Sequence, residues 1–260
     1  MAKDLRLYLA AAVLLFAAGC STISTNSPAP SITGNWAFTA PPPQNAPAAV
    51  TLNAGFTEST SGTVSAVAHL TGTSCLPPTT GIVLSGSVGS NNNLALTSQP
   101  FAGTTLSLNG QLATAGTVIS GATWSFSGGS CAALGSATVT ATHFDQIDGT
   151  YTGNFVDSGN NQLAVSATLT QTTQPVNGQY QLSGSASFPG NPCFTQPIVT
   201  NSLVTGSSLS TTYTDQVSGA VIVATGTFNS TATQLTVTNW QVTGGLCDGD
   251  TGTGFLSEPD

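Results

Sequence analysis

GQYQLSGSASF, residues 178–188, alternates without interruption. Tyr180, Leu182, Gly184, Ala186 and Phe188 fall on one side of an extended chain, and Gln179, Gln181, Ser183, Ser185 and Ser187 on the other. Successive side chains of a β-strand point to opposite faces, so this segment reads as a strand with one dry and one wet side. TVSAVAHL, residues 63–70, behaves the same way, with Val64, Ala66, Ala68 and Leu70 opposite Thr63, Ser65 and His69. Similar runs recur every 10–15 residues, separated by turn-forming clusters such as STSG, GSNNN, DSGNN and PVNG. No segment after Cys20 carries a helical period. The expectation is an all-β chain of antiparallel sheets, folded as an up-and-down barrel or as a sandwich.

The pattern occurs twice. Ile32-Thr33-Gly34-Asn35-Trp36 returns as Ile147-Asp148-Gly149-Thr150-Tyr151, 115 residues later. Val50, Leu52, Ala54 and Phe56 alternate as Leu163, Val165, Ala167 and Leu169 do. Cys75 corresponds to Cys193, and ATWSFSGGSC (residues 122–131) to TNWQVTGGLC (residues 238–247), each with Trp seven residues before Cys. Four anchors in one order at a nearly constant offset predict two homologous units of about eight strands, residues 32–144 and 147–260. Each is long enough for its own core.

Of five cysteines, four lie in these units. Four cysteines allow three pairings, and the repeat selects Cys75–Cys131 and Cys193–Cys247, the same two positions in each unit. Loops of 54 and 56 residues would each be stabilised by roughly 4 kcal/mol in the chain-entropy treatment.

The fifth, Cys20, ends a leader. Lys3 and Arg6 precede an apolar run, Leu7 to Ala18, whose twelve residues fall short of the roughly 20 that span a bilayer. The ending FAAGC resembles the lipobox of bacterial lipoproteins, with Ala17 where that family more often has Leu. The resemblance implies a signal peptide over residues 1–19, cleavage before Cys20, and lipidation of Cys20, including a fatty acyl group such as palmitate. Residues 20–31 would then be the lipidated cysteine and a flexible tether. The protein would be exported and held to the cell envelope by that lipid, and Ser21 is compatible with the outer membrane.

After Cys20 there is no lysine or arginine, while nine acidic residues remain. A surface without fixed positive charge cannot neutralise phosphates, which excludes nucleic acid as a partner. The Gly34-x-Trp36 opening, with strong alternation after it, resembles the first strand of lipocalin- and avidin-like barrels over some five residues per unit. That resemblance implies a closed barrel with Trp36 at one end, a ligand entering at the other, and an arginine packed over the Trp. This chain has no arginine after Arg6.

Chemistry-bearing residues are sparse. His69 and His143 lie in the first unit without counterparts in the second. His143-Phe144-Asp145 offers an imidazole and a carboxylate, but no Gly-x-Ser-x-Gly turn accompanies them. Glycoside hydrolysis needs two facing carboxylates. Glu58 and Asp145 are all the first unit offers, and Asp157, Asp215, Asp248 and Asp250 of the second stand in turn contexts, where Asp caps its own backbone. Asp248 and Asp250, in CDGDTGTG, are weak candidates for Ca²⁺, lacking the later Glu of an EF-hand loop. Trp36, Trp124, Tyr151, Tyr180, Tyr213 and Trp240 could stack on sugars, but two of these pairs recur at matching positions, as core residues do. The expectation is a non-catalytic binding or surface-interaction module with no cofactor. A purely structural envelope protein and an extracellular hydrolase are the alternatives, and no ligand or protein partner is identified by the residues.

Overall fold

The computed structural model describes residues 30–42 and 48–259. The expected signal peptide (residues 1–19), Cys20 and the expected tether up to residue 29 lie outside the described residues.

The chain folds into two antiparallel up-and-down barrels in tandem, so the sandwich alternative is ruled out. The first is built from β1 (Gly34–Ala40), β2 (Val50–Glu58), β3 (Thr63–Thr71), β4 (Gly81–Val88), β5 (Asn93–Ser98), β6 (Thr105–Leu112), β7 (Ile119–Ser127), β8 (Ser136–Thr138) and β9 (Thr140–Phe144). The second comprises β10 (Asp148–Asp157), β11 (Gln162–Gln171), β12 (Tyr180–Ser187), β13 (Pro197–Thr205), β14 (Ser208–Asp215), β15 (Val221–Phe228), β16 (Gln234–Thr243) and β17 (Thr251–Ser257). The helical structure among the described residues is a single 3-10 turn, Ala132–Leu134. No helix among them is long and apolar enough to cross a membrane.

The alternation sets the interiors. Val64, Ala66, Ala68 and Leu70 are buried, as are Tyr180, Leu182 and Phe188, while Gln181, Ser183, Ser185 and Ser187 face solvent. The repeat holds to the residue: Trp36 pairs with Ala54 as Tyr151 pairs with Ala167, and Ala40 with Val50 as Phe155 with Leu163. Even a cap is shared. The Ile32 amide donates to Glu58 Oε2 (2.9 Å), and the Ile147 amide to Gln171 Oε1 (3.2 Å), at matching positions. Both disulfides form as the repeat requires, with Cα–Cα distances of 5.1 Å for Cys75–Cys131 and 5.8 Å for Cys193–Cys247.

The barrels differ at the seam. In the second, β17 pairs with β16 on one side and β10 on the other along most of its length, closing the ring. In the first, the last strand breaks at Val139. β8 pairs only with β7 (Trp124 opposite Ala137), and β9 only with β1 (Trp36 opposite His143). The ring is closed by one strand handed from one edge to the other, leaving β8 unpaired where it faces the end of β1.

The second barrel docks on the outside of the first through two turns. Buried Asn35 donates from Nδ2 to the Gly206 carbonyl and accepts from the Gly206 amide, both at 2.8 Å. Gly206 has φ +56°, and a Cβ there would collide with the Asn53 amide oxygen, so this turn needs glycine. The β11–β12 turn meets β3, where the His69 Nε2 lies 3.1 Å from the Asn177 carbonyl.

Candidate functional site

The seam break creates a slot of about 410 Å³ in the first barrel, between the end of β1 (Ala40, Pro41) and β8, with Val50, Trp124 and Leu134 also lining it. This is the size range of ligand pockets. Its floor is the buried Trp124, whose Nε1 has no hydrogen-bond partner. A buried donor left without a partner costs about 1–3 kcal/mol, so it calls for an explanation. The equivalent Trp240 Nε1 donates to the Thr253 carbonyl at 3.0 Å. By register, Thr253 corresponds to Thr138, the residue at which the first barrel's last strand stops; the next amide, Val139, turns to donate to Ala122.

In the second barrel aromatic rings occupy the corresponding place. Phe155 stacks on Trp240 (5.8 Å between centroids) and meets Phe188 edge-on (5.8 Å), which in turn packs on Phe194 (4.9 Å). The register places Ala40 where Phe155 stands and Leu70 where Phe188 stands, and the disulfide cysteines align Leu76 with Phe194. Three rings become one methyl group and two isobutyl groups. Of the three, Ala40 lines the slot itself.

The opposite end of the first barrel is plugged. Trp36 is fully buried, its Nε1 donates to the Ile32 carbonyl (2.9 Å), and the His143 ring packs edge-on against it (5.0 Å). His143 takes the place over the Trp where the barrel resemblance implies arginine. Burial holds its imidazole below the usual histidine pKa, against the opposing pull of Asp145, whose Oδ1 lies 3.4 Å from Nδ1. This pair borders a junction cavity of about 290 Å³ between the barrels, together with Tyr180, whose buried Oη has no partner and whose pKa burial raises to about 12. The described residues lining that cavity include no serine or cysteine, and its hydroxyls are those of Thr33, Thr173 and Tyr180; a Cβ on Gly34 would come within 2.7 Å of Nε2, so glycine is needed there. The His143–Asp145 pair therefore meets no serine or cysteine nucleophile among the residues lining that cavity.

Four carboxylates are committed to structure. Asp157 Oδ1 accepts from the Gly159 and Asn161 amides, and Asp248 Oδ1 from the Gly244 amide. Glu58 caps Ile32. Asp215 is enclosed by amides of two turns. Among the described residues no three His, Cys, Asp or Glu side chains come together as a metal set, so Asp248 and Asp250 gain no third ligand of that kind. Trp36, Trp124, Trp240, Tyr151, Tyr180 and Tyr213 are all buried, which removes them as exposed sugar platforms. Among the described residues, the exposed aromatic side chain is Phe255, which escaped the sequence reading. Its signal was there: in TGTGFLS it falls out of phase with Leu256, on the wet face.

No protein-family model matches the chain, and no curated protein matches it. Among solved structures, a protein of unknown function from the DUF3598 family of Nostoc punctiforme is similar over 88% of this chain and 96% of its own, at 10% identity and a TM-score of 0.26.

Proposed function

We propose that this chain is an exported, lipid-anchored, non-catalytic binding module whose first barrel takes up a small, largely apolar molecule carrying a hydrogen-bond acceptor. The observation that carries the reading is the unpartnered Trp124 Nε1 at the floor of an apolar-lined slot, in the barrel whose twin satisfies that same donor and fills that same space. Alanine, valine and leucine side chains supply the apolar walls, and the enclosed, unpartnered indole N–H is the directed contact that a ligand acceptor gains once the ring or β8 shifts to admit it. The second barrel, packed with Phe155, Phe188, Phe194 and Trp240, serves as the rigid partner on which the first is mounted. The anchor is read from the FAAGC leader, with Cys20 as the lipidated residue.

Two measurements test this. Fatty-acid methyl esters, apolar chains with one carbonyl acceptor, should displace the neutral fluorophore N-phenyl-1-naphthylamine from the purified protein. Ala40→Phe, which installs the second barrel's residue, should weaken that binding at least about tenfold, since the ring takes the ligand's space. Trp124→Phe, which keeps the apolar floor and removes the donor, should weaken it about three- to tenfold. Unchanged affinity in the Ala40→Phe protein would overturn the slot as the site. For the anchor, labelled palmitate should be incorporated into the native protein in its host and not into Cys20→Ala; equal labelling of both would exclude Cys20.

A further inference from the structure

We propose that the outer face of the second barrel, from the cleft between the barrels to Phe255, binds a neutral polysaccharide chain. This goes beyond the slot reading and uses a different surface. Phe255 is 48% exposed on β17, and the register places Thr140 at the matching position of the first barrel. A single exposed apolar residue is ordinary. This one, however, sits in a groove of about 650 Å³, with Asn154 and Thr236 directly beside it in the sheet.

The groove is not isolated. At Thr238 it meets the inter-barrel cleft of about 370 Å³, to which Asn53 and His69 of the first barrel and Gln179 and Ser210 of the second contribute. The meeting point is where β16 departs from regular pairing with both neighbours, at Thr225/Gly226 on the β15 side and between Val237 and Trp240 on the β17 side. Bulges re-aim side chains and dent a sheet, and they are over-represented beside binding sites. From β14 to β10 the path crosses four strand intervals, roughly 19 Å at about 4.8 Å each. That is longer than one small molecule and suits a chain.

The lining selects the chemistry. No carboxylate, lysine or arginine side chain lines either part. Anionic polymers therefore find no cation. An extended peptide would need a free strand edge, but β14 to β17 are each paired on both sides. Hydroxyl and amide groups both donate and accept, as sugar hydroxyls do. The Phe255 ring offers the apolar contact that a pyranose face can cover.

The test is retention of the full-length protein, in mild detergent, on cellulose, chitin and dextran, with polygalacturonate as the anionic control. At least one neutral polymer should retain it and polygalacturonate should not. Phe255→Ala should weaken retention about tenfold, Phe255→Trp should restore it, and Val118→Ala, an exposed site on the first barrel, should leave it unchanged. Ala40→Phe should leave it unchanged too, which separates this surface from the slot. Failure to bind any of the three neutral polymers, or retention that survives Phe255→Ala, would overturn the proposal.

Discussion

Phe155→Ala is expected to open in the second barrel the slot that the first already has, and to destabilise that barrel by about 3–5 kcal/mol. The ring is 4% exposed, stacked on Trp240 and edge-on to Phe188. It also covers Gly254 so closely that a Cβ there would collide with it. Removing it takes away both the transfer free energy of the ring and the contacts of every side chain around it. The surroundings resist collapse because β17 is paired on both sides and the Cys193–Cys247 bridge holds the loops at that end. The variant should therefore bind two fatty-acid methyl esters where the parent binds one. The second site should be the weaker, since Trp240 Nε1 is already given to Thr253 and cannot orient the ligand. Urea unfolding and ligand titration measure the two effects. A loss under about 1 kcal/mol with stoichiometry still at one would mean that the barrel closes over the gap, and that ring size does not explain the difference between the barrels.

How much of this was legible in advance divides along physical lines. Strand identity and the two-unit plan were, because an inside-outside barrel writes period two into every strand: Tyr180 to Phe188 is buried and exposed in the order its residues dictate. The disulfides were legible because the repeat reduces three pairings to one. The turn roles of Asp157 and Asp248 were legible because a short carboxylate reaches amides a few residues away without help from the fold, and so was the half of Asp215's role that faces Val217 and Ser218; its bonds to the Thr195 and Gln196 amides, about twenty residues back, were not. What could not be read depends on the third dimension. Asn35 and Gly206 stand 171 residues apart, and nothing in Gly-Asn-Trp or Thr-Gly-Ser marks them as partners. The seam break at Val139 is a change of strand partner, which leaves alternation intact on either side. The slot occupies a middle position. Ala40 opposite Phe155 is a readable difference at the offset of 115, but that it borders a cavity beside Trp124 and β8 is not. A substitution reads as a site only once the volume around it is known.

Asp215→Ala should be the most damaging polar substitution in the second barrel, lowering stability by about 2–4 kcal/mol. The side chain is 1% exposed, with no lysine or arginine after Cys20 to pair with it. Burial alone would raise its pKa, yet the result is a carboxyl held well below the usual range, because hydrogen bonds from Ser218, Gln196 and Val217 outweigh the loss of water. Oδ2 accepts from the Thr195 and Gln196 amides at 2.6 and 2.7 Å, and Oδ1 from the Val217 and Ser218 amides at 3.0 and 2.7 Å. The same Ser218 hydroxyl lies 3.0 Å from Oδ1 and 3.3 Å from the Cys193 carbonyl. One carboxylate thus ties the loop before β13 to the loop before β15, beside the disulfide. Alanine strands four amides at once. Asparagine keeps one acceptor oxygen and presents an N–H₂ to the other pair, so it should recover only part of the loss. The pH dependence follows from the sign of the shift. A carboxyl depressed in the fold stabilises it fully above its unfolded value near pH 4, and loses that contribution as pH falls through the lower folded value. Urea midpoints at pH 7 and pH 2.5 should therefore differ less in Asp215→Ala than in the parent. An equal pH difference in both would mean that water, not these four amides, solvates the carboxylate.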